Sequence, residues 1–294
     1  MAVNFDKLII DRVADAWFED RTNKNLLAVL DDVQNFSINT TSDTKEKTDS
    51  MGALIKRYFL AKNVEVSGEN AVLSLNLMGI QTGTGVKTDA NVKDIPRIFH
   101  IAKTSATAST PFELPDTFAV ESGTGGYVAK QLDDTLIVYG TQDNGLVDLD
   151  KEYVRGTDYT IAVDENGKAS IAITNENATD SIIIKYQYDA TESSNAIRVD
   201  QDATSFPKEC KATFRVLCSD VCESDVVRAF YVVFPKFQMS PDFDWTLDTE
   251  SSQSFSATAL KDYCAKKQLL FYVALDESSA EYDAVLDADI TPNP

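Results

Sequence analysis

The stretch from Phe206 to Leu275 limits the fold more than any other part of the chain. It runs FPKECKATFRVLCS, DVVRAFYVVFPKFQMS, WTLDTESSQSFSATALKDY and QLLFYVAL, four apolar segments separated by short polar breaks. Phe214, Val216 and Cys218 alternate with Thr213, Arg215 and Leu217, the two-residue period of a strand with unlike faces. Val226 to Phe234 is denser. Val227, Phe230, Val232 and Phe234 read as one parity, with Val226, Tyr231 and Val233 nearby. A strand apolar on both faces has to be covered twice, once by its own core and once by something else. A neighbouring subunit is a natural second cover. The sequence therefore predicts an assembling β-protein, and no stretch of it predicts a catalytic centre.

Length and charge narrow the classes further. A chain of 294 residues suffices for one large β-domain or two smaller ones, and it buries a sizeable core. The formal net charge of −20 argues against a surface that grips phosphate backbones or anionic membranes by charge. No apolar run approaches a membrane span. MAVNFDKLIIDRV lacks the make-up of a signal peptide, which predicts synthesis in a cytoplasm. Cys210, Cys218, Cys222 and Cys264 form no CxxC pair, so buried free thiols are expected, with one disulfide left open. His100 is the only histidine, which nearly closes off Ser-His-Asp, Cys-His and multi-histidine metal sites. In RIFHIAK it reads as a strand residue.

Along the chain, Val13–Phe18 and Leu26–Leu30 read as a hairpin joined by the polar residues 19–25. A helix over Lys7–Phe18 is the competing reading. Phe36 and Ile38 mark a third strand. Residues 40–52, TTSDTKEKTDSMG, hold no apolar residue before Met51 and predict an exposed projecting loop. Strands are expected at Ala53–Leu60, Val64–Val66 and Ala71–Met78, with SGEN as a turn and Gly79–Asn91 as a loop. After the His100 strand, AKTSATASTPFELPD has the composition of a linker.

Beyond it, Thr117–Val120, Thr135–Tyr139, Tyr159–Val163, Ala169–Ile173 and Ile182–Tyr188 are spaced as the strands of a sandwich, and Asn166-Gly167 is a hairpin signal. Residues 1–115 hold 13 basic and 15 acidic side chains, residues 116–195 hold 5 and 15, and residues 196–294 hold 9 and 17. Half of the −20 thus sits in the middle piece. That shift predicts two domains: a discontinuous one at 1–115 and 196–294, and an inserted acidic sandwich at 116–195.

Chemistry-bearing patterns are sparse. Asp148/Asp150, Asp242/Asp244 and Asp287/Asp289 are D-x-D pairs that could hold a divalent cation or serve a glycosidase. Among 47 acidic residues such pairs arise by chance, and a solvated surface accounts for them. A calcium loop opening at Asp148 would need glycine where Tyr153 stands. Ser122 to Tyr127 is glycine-rich but has no lysine in P-loop position. The N-x-S/T triplets at Asn35, Asn39 and Asn177 carry no weight without a secretory signal. Trp17, Trp245 and the eleven tyrosines, scattered through strands, suit core or interface better than a sugar platform.

VRAFYVVFPKFQMSPDFDWTLDTESSQSFSATALKDY resembles the second half of a bacteriophage tail tube protein. NLLAVLDDVQNFSINTTSDTKEKTDSMG with KNVEVSGENAVLSLNL resembles its first part: two strands, a polar projection, then a hairpin. YVRGTDYTIAVDENGKASIAI with SIIIKYQYDA resembles the immunoglobulin-like modules inserted in phage virion proteins. The resemblance implies a mainly β fold, a tail-tube sandwich or barrel subunit with a short flanking helix, plus an inserted immunoglobulin-like sandwich. It also implies hexameric rings whose inner sheets join, stacked into a conduit for DNA ejection in the virion tail.

The implied partners are the chain itself, other tail proteins such as tape measure, baseplate and a possible sheath, and DNA in transit; neither a cofactor nor a membrane is implied. Under it, Asp43, Lys45, Glu46, Lys47 and Asp49 are expected to make ring-stacking contacts. Val226, Val227, Phe230, Tyr231, Val232, Val233 and Phe234 are expected to form the subunit-interface strand. No long amphipathic helix is evident, and Ala257–Cys264 is the best candidate for the short one. A decoration or adhesin protein of two sandwiches is the alternative, and a carboxylate-dependent hydrolase ranks behind it.

Overall fold

The computed structural model describes residues 8–123, 126–142, 146–192, 194–221, 223–249 and 251–275. In chain order the elements are β1 (Leu8–Asp20), β2 (Leu26–Leu30), β3 (Val33–Thr48), β4 (Leu54–Asn70), α1 (Leu75–Thr82) and β5 (Val86–Thr88). They continue as β6 (Ile95–Ala102), β7 (Phe112–Thr117), β8 (Glu121–Gly123), β9 (Gly126–Val128), α2 (Lys130–Thr135), β10 (Ile137–Thr141) and β11 (Val147–Glu152). Next come β12 (Tyr159–Val163), β13 (Lys168–Ile173), β14 (Ser181–Tyr188) and β15 (Ile197–Val199). The described residues end with β16 (Glu209–Asp220), β17 (Glu223–Met239), β18 (Trp245–Thr246), β19 (Ser252–Ala259) and β20 (Tyr272–Leu275). The fold is mainly β, as the alternating apolar pattern requires.

The chain divides into two compact units, residues 1–86 with 199–294, and residues 87–198. In the first unit β4, β3, β1, β16 and β17 pair in that order, and β19 pairs with both β4 and β17. The sheet therefore closes on itself as a barrel, which removes most of its free edges. The seam between β1 and β3 is a single pair, Val13 with Val33. β2 adds beside β1, and β20 beside β17.

The barrel is filled by phenylalanines on the inward parity of these strands. Phe214 lies 4.4 Å from Phe36, 6.1 Å from Phe18, 5.8 Å from Phe234 and 6.4 Å from Phe255, ring centre to ring centre. Those with Phe18 and Phe234 are edge-on, a geometry aromatic quadrupoles favour. Gly68 on β4 is part of this packing. A Cβ there would stand 2.6 Å from the Phe255 ring, so a larger residue would push the ring out of the core.

Between β4 and β5 the chain forms α1 instead of the expected strand at Ala71–Met78. The Ser74 side chain caps its start by accepting from the Leu77 N–H at 3.2 Å. Gly83 closes it at φ +76°, a left-handed conformation that glycine adopts without penalty. Leu77 and Ile80 bury into the barrel core. A polar clamp fixes the helix to β19. Gln253, wholly buried, donates to Gln81 at 3.0 Å and accepts from the Ser74 N–H, while Gln81 donates to the Ser254 carbonyl.

Other segments depart from the sequence expectation. Ala257–Cys264 is not the helix: Phe255, Ala257 and Ala259 alternate inward on β19, which completes the barrel, and the chain beyond Ala259 turns. SGEN is no turn but the end of β4. Residues 40–52 are no loop. Thr40–Thr48 continue β3, and the only turn is at Asp49–Gly52. The competing helix at Lys7–Phe18 is replaced by β1, whose pairing with β2 makes the expected hairpin; Lys7 lies outside the described residues.

In the second unit β11-β10-β14-β6 and β12-β13-β7 form two sheets whose inward residues share one core, with Ile171, Ile182, Ile184 and Tyr186 at its centre. The expected hairpin at Asn166-Gly167 joins β12 to β13, with the Asp164 N–H donating to the Lys168 carbonyl at 2.9 Å. The observed division at 87 and 198 lies outside the expected 116 and 195. The reason is pairing: Ile95–Ala102 runs antiparallel to Ser181–Tyr188 along its whole length, and Phe112–Thr117, read as linker, pairs with β13. The chain enters on β5 and returns on β15, and these two strands pair with each other.

Candidate assembly surfaces

The arm made by β3 and β4 stands open to solvent. Past Val64 the two strands leave the barrel core, and every described position from Asp43 to Asn63 is exposed. At about 3.3 Å per residue the ten residues from Leu54 to Asn63 span about 33 Å. The tip is tied by Asp49. Its Oδ1 accepts from the N–H groups of Met51 (2.9 Å) and Ala53 (2.8 Å), and its N–H donates to the Ala53 carbonyl (2.9 Å).

Strand register sorts the arm's side chains into two faces. Thr44 with Phe59 and Glu46 with Arg57 share one face; Lys45 with Tyr58 and Lys47 with Lys56 share the other. Arg57 and Glu46 form an ion pair at 2.6 Å. The Lys56 ammonium lies 4.9 Å from the centre of the Tyr58 ring. All five expected stacking residues, Asp43, Lys45, Glu46, Lys47 and Asp49, are thus on this arm, strand-borne except for Asp49 in the turn.

Sequence reasoning missed the apolar half of the arm. Ile55 is 61% exposed, Phe59 72% and Met51 91%, with Leu54, Tyr58 and Leu60 also exposed. The signal was present: LIKRYFL holds large apolar residues on both parities beside a partner strand that has none. A two-stranded ribbon with nothing packed on either face is marginal in water by itself, and an exposed apolar cluster of this kind marks a contact surface. The arm is also cationic in an acidic chain. Lys45, Lys47, Lys56, Arg57 and Lys62 outnumber Asp43, Glu46 and Asp49, a net +2 that leaves −22 of the −20 total for the rest.

The expected interface strand lies on β17, and its residues divide by parity. Val232 and Phe234 are buried in the barrel, with Phe230 packed against the same core. Tyr231 faces the other way, edge-on to Trp17 at 6.2 Å, and Val233 beside Thr213 is nearly buried. The side chain of Val226 lies outside the described ones; Val227 is exposed. Most of the second cover over Val233 thus comes from within the chain. Around this belt an apolar rim stays open to solvent, formed by Val29, Val227 and Tyr272. Asp15 and Arg215 pair at 2.6 Å on the same face, and burial raises the Asp15 pKa against the opposing pull of that guanidinium.

The remaining sequence candidates stay apart. Asp148 pairs with Lys151 at 3.4 Å, and His100 is an exposed strand residue on β6. Ser122-Gly123 and Gly126-Tyr127 face each other in the β8–β9 hairpin, while Thr124 and Gly125 lie outside the described residues, as do Asp287 and Asp289. Among the described residues no group of three or more His, Cys, Asp or Glu converges to hold a metal ion, and no helix is long and apolar enough to cross a membrane.

Comparison with curated proteins found no significant match. The sequence does match the YomU/Tube protein family over residues 8–272, which takes in both units and every strand except the last residues of β20. On this match the chain belongs to the YomU/Tube protein family of phage tube proteins.

Proposed function

We propose that the chain forms hexameric rings that stack into the tube of a phage tail, the conduit through which DNA is ejected. The observation that carries this reading is the β3–β4 arm, a ribbon too thin to be at ease in water, which displays Ile55 and Phe59 on a family member already built to assemble. Ring closure would use the open rim around β17 and β20, where Val227, Tyr231 and Val233 belong to the outward parity. Stacking would use the arm, with Asp43, Lys45, Glu46, Lys47 and Asp49 setting register between rings, since complementary charges fix alignment more than they add affinity. Partners beyond a second copy are the other tail proteins: tape measure, baseplate and, in a contractile tail, sheath.

The second unit is proposed to be an immunoglobulin-like module on the outside of the tube, because an insertion of its bulk would obstruct a channel that admits DNA. Insertions are tolerated where the chain leaves and returns at neighbouring surface points. Replacing residues 89–196 by a short Gly/Ser linker is expected to preserve ring formation. Replacing only 116–194 strips β6 of β14 and is expected to give aggregated protein. Electron microscopy of the purified full chain tests the central reading: rings or tubes are expected, and a monodisperse monomer at all concentrations would overturn it.

A further inference from the structure

The barrel's two outward sheet faces differ in chemistry, and the difference assigns one of them. On β3, β4 and β19 the outward parity carries Ser37, Asn39, Glu65, Ser67, Ser256 and Thr258. The Ser37 and Ser67 hydroxyls are 3.1 Å apart, and Asn35 donates to Glu69 at 3.1 Å. No lysine or arginine occurs anywhere in residues 35–41, 63–69 or 254–258. Lys236 on the neighbouring β17 is held by Glu209 at 2.8 Å. The opposite face, on β1, β16 and β17, bears Trp17, Leu217, Tyr231 and Val233 beside the ion pairs of Asp15 with Arg215 and Glu19 with Lys211.

We infer that the outward face of β3, β4 and β19 is the wall of the tube's channel. This rests on the tube reading and goes beyond it by naming the wall. A polyanion passing through a channel must not be held. Each lysine or arginine that contacts a phosphate adds salt-dependent affinity, and each exposed aromatic ring is a stacking platform for bases. This face presents neither. Its short hydroxyl and amide side chains stay hydrated, and its only charges, Glu65 and Glu69, repel phosphate. An ordinary outer surface intersperses both signs of charge, so a face with carboxylates and no cations is not the pattern of a tube exterior. The opposite face, by contrast, carries both signs of charge and keeps the open apolar rim of Val29, Val227 and Tyr272, which suits contact between subunits.

The test places a thiol on the face: Ser67→Cys, in a Cys222→Ser/Cys264→Ser background, assembled into tubes. Labelling rates are compared for a small maleimide and a maleimide carried on a polymer too bulky for the channel. Free subunits are expected to react with both. Tubes are expected to keep reacting with the small reagent while the bulky one slows by about tenfold or more, because the thiolate reacts only where the reagent reaches it. Equal labelling of tubes by the bulky reagent would put the face outside and overturn the inference. So would folded Ser67→Cys subunits that no longer assemble while the background chain does, or tubes closed to both reagents, since either makes the face an interface. Failure of the background chain itself to form tubes would instead overturn the tube reading, and the inference with it.

Discussion

The two halves of the β3–β4 hairpin are made of similar residues and meet opposite fates. Within the barrel Val64 and Val66 are 1% exposed, pressed onto the phenylalanine core by β19 and by the strands across the barrel. A few residues further out Ile55 and Phe59 are 61% and 72% exposed, though the same strand carries them and the same partner pairs with it. Pairing supplies the backbone hydrogen bonds in both halves. Only a third element supplies burial, and at roughly 25 cal/mol per Å² of apolar surface the outer half gives up several kcal/mol that a partner could recover. The inner half is core; the outer half is open to solvent.

That contrast breaks most visibly from the inside. Phe214→Ala removes the ring that touches five other phenylalanines, and truncations of this kind cost about 3–5 kcal/mol. Denaturant unfolding is expected to show that loss whether or not the protein is assembled, and a change under about 1 kcal/mol would mean the barrel core is not where stability resides.

On the arm the expected loss is of assembly, not of fold. Ile55→Asp with Phe59→Asp is expected to leave the unfolding midpoint of the dissociated subunit within the roughly 0.5 kcal/mol of an ordinary surface change, while sedimentation shows no stacks. A destabilised subunit, or normal stacks, would show that the two halves of the hairpin do not differ in this way. Lys45→Glu with Lys47→Glu acts more mildly. Rings should persist and stacks shorten at ordinary ionic strength, and full-length tubes from that variant would remove the arm's charges from register setting.

The smallest effect is a difference in thiol reactivity. Burial pushes the Cys210 thiol up to about 12, so inside the barrel it holds its proton far above the ordinary thiol range near 9. The sign follows from linkage. Because the folded state holds the proton more tightly, this group's stabilising contribution is complete below about pH 9 and is lost as pH climbs towards about 12. A thiol introduced on the arm by Thr44→Cys should react with maleimide at the rate of a free cysteine, and Cys210 only when the barrel opens. Comparable rates would show the barrel end of the hairpin to be as open as the arm.

Much of this was legible beforehand. Alternation in ATFRVLC and the Asn166-Gly167 turn each report a local preference, and each corresponds to an element in its expected place. The polar run 40–52 was legible as a projection but not as a strand, because Thr, Lys and Glu carry little strand signal until a partner such as LIKRYFL pairs with them.

What the sequence determined by itself was the class of structure: β-strands by their two-residue period, a phenylalanine core by its inward parity, and a charge that repels nucleic acid. What only the tertiary structure decided was which segments meet. The sequence could not show that Ile101 pairs with Ile182, that β19 closes the barrel in place of a helix, or that Phe234 faces in while Phe59 faces out. Periodicity records what one strand wants on each of its faces. The choice of partner is made by the free energy of the whole core, in which residues far apart in the chain are weighed together.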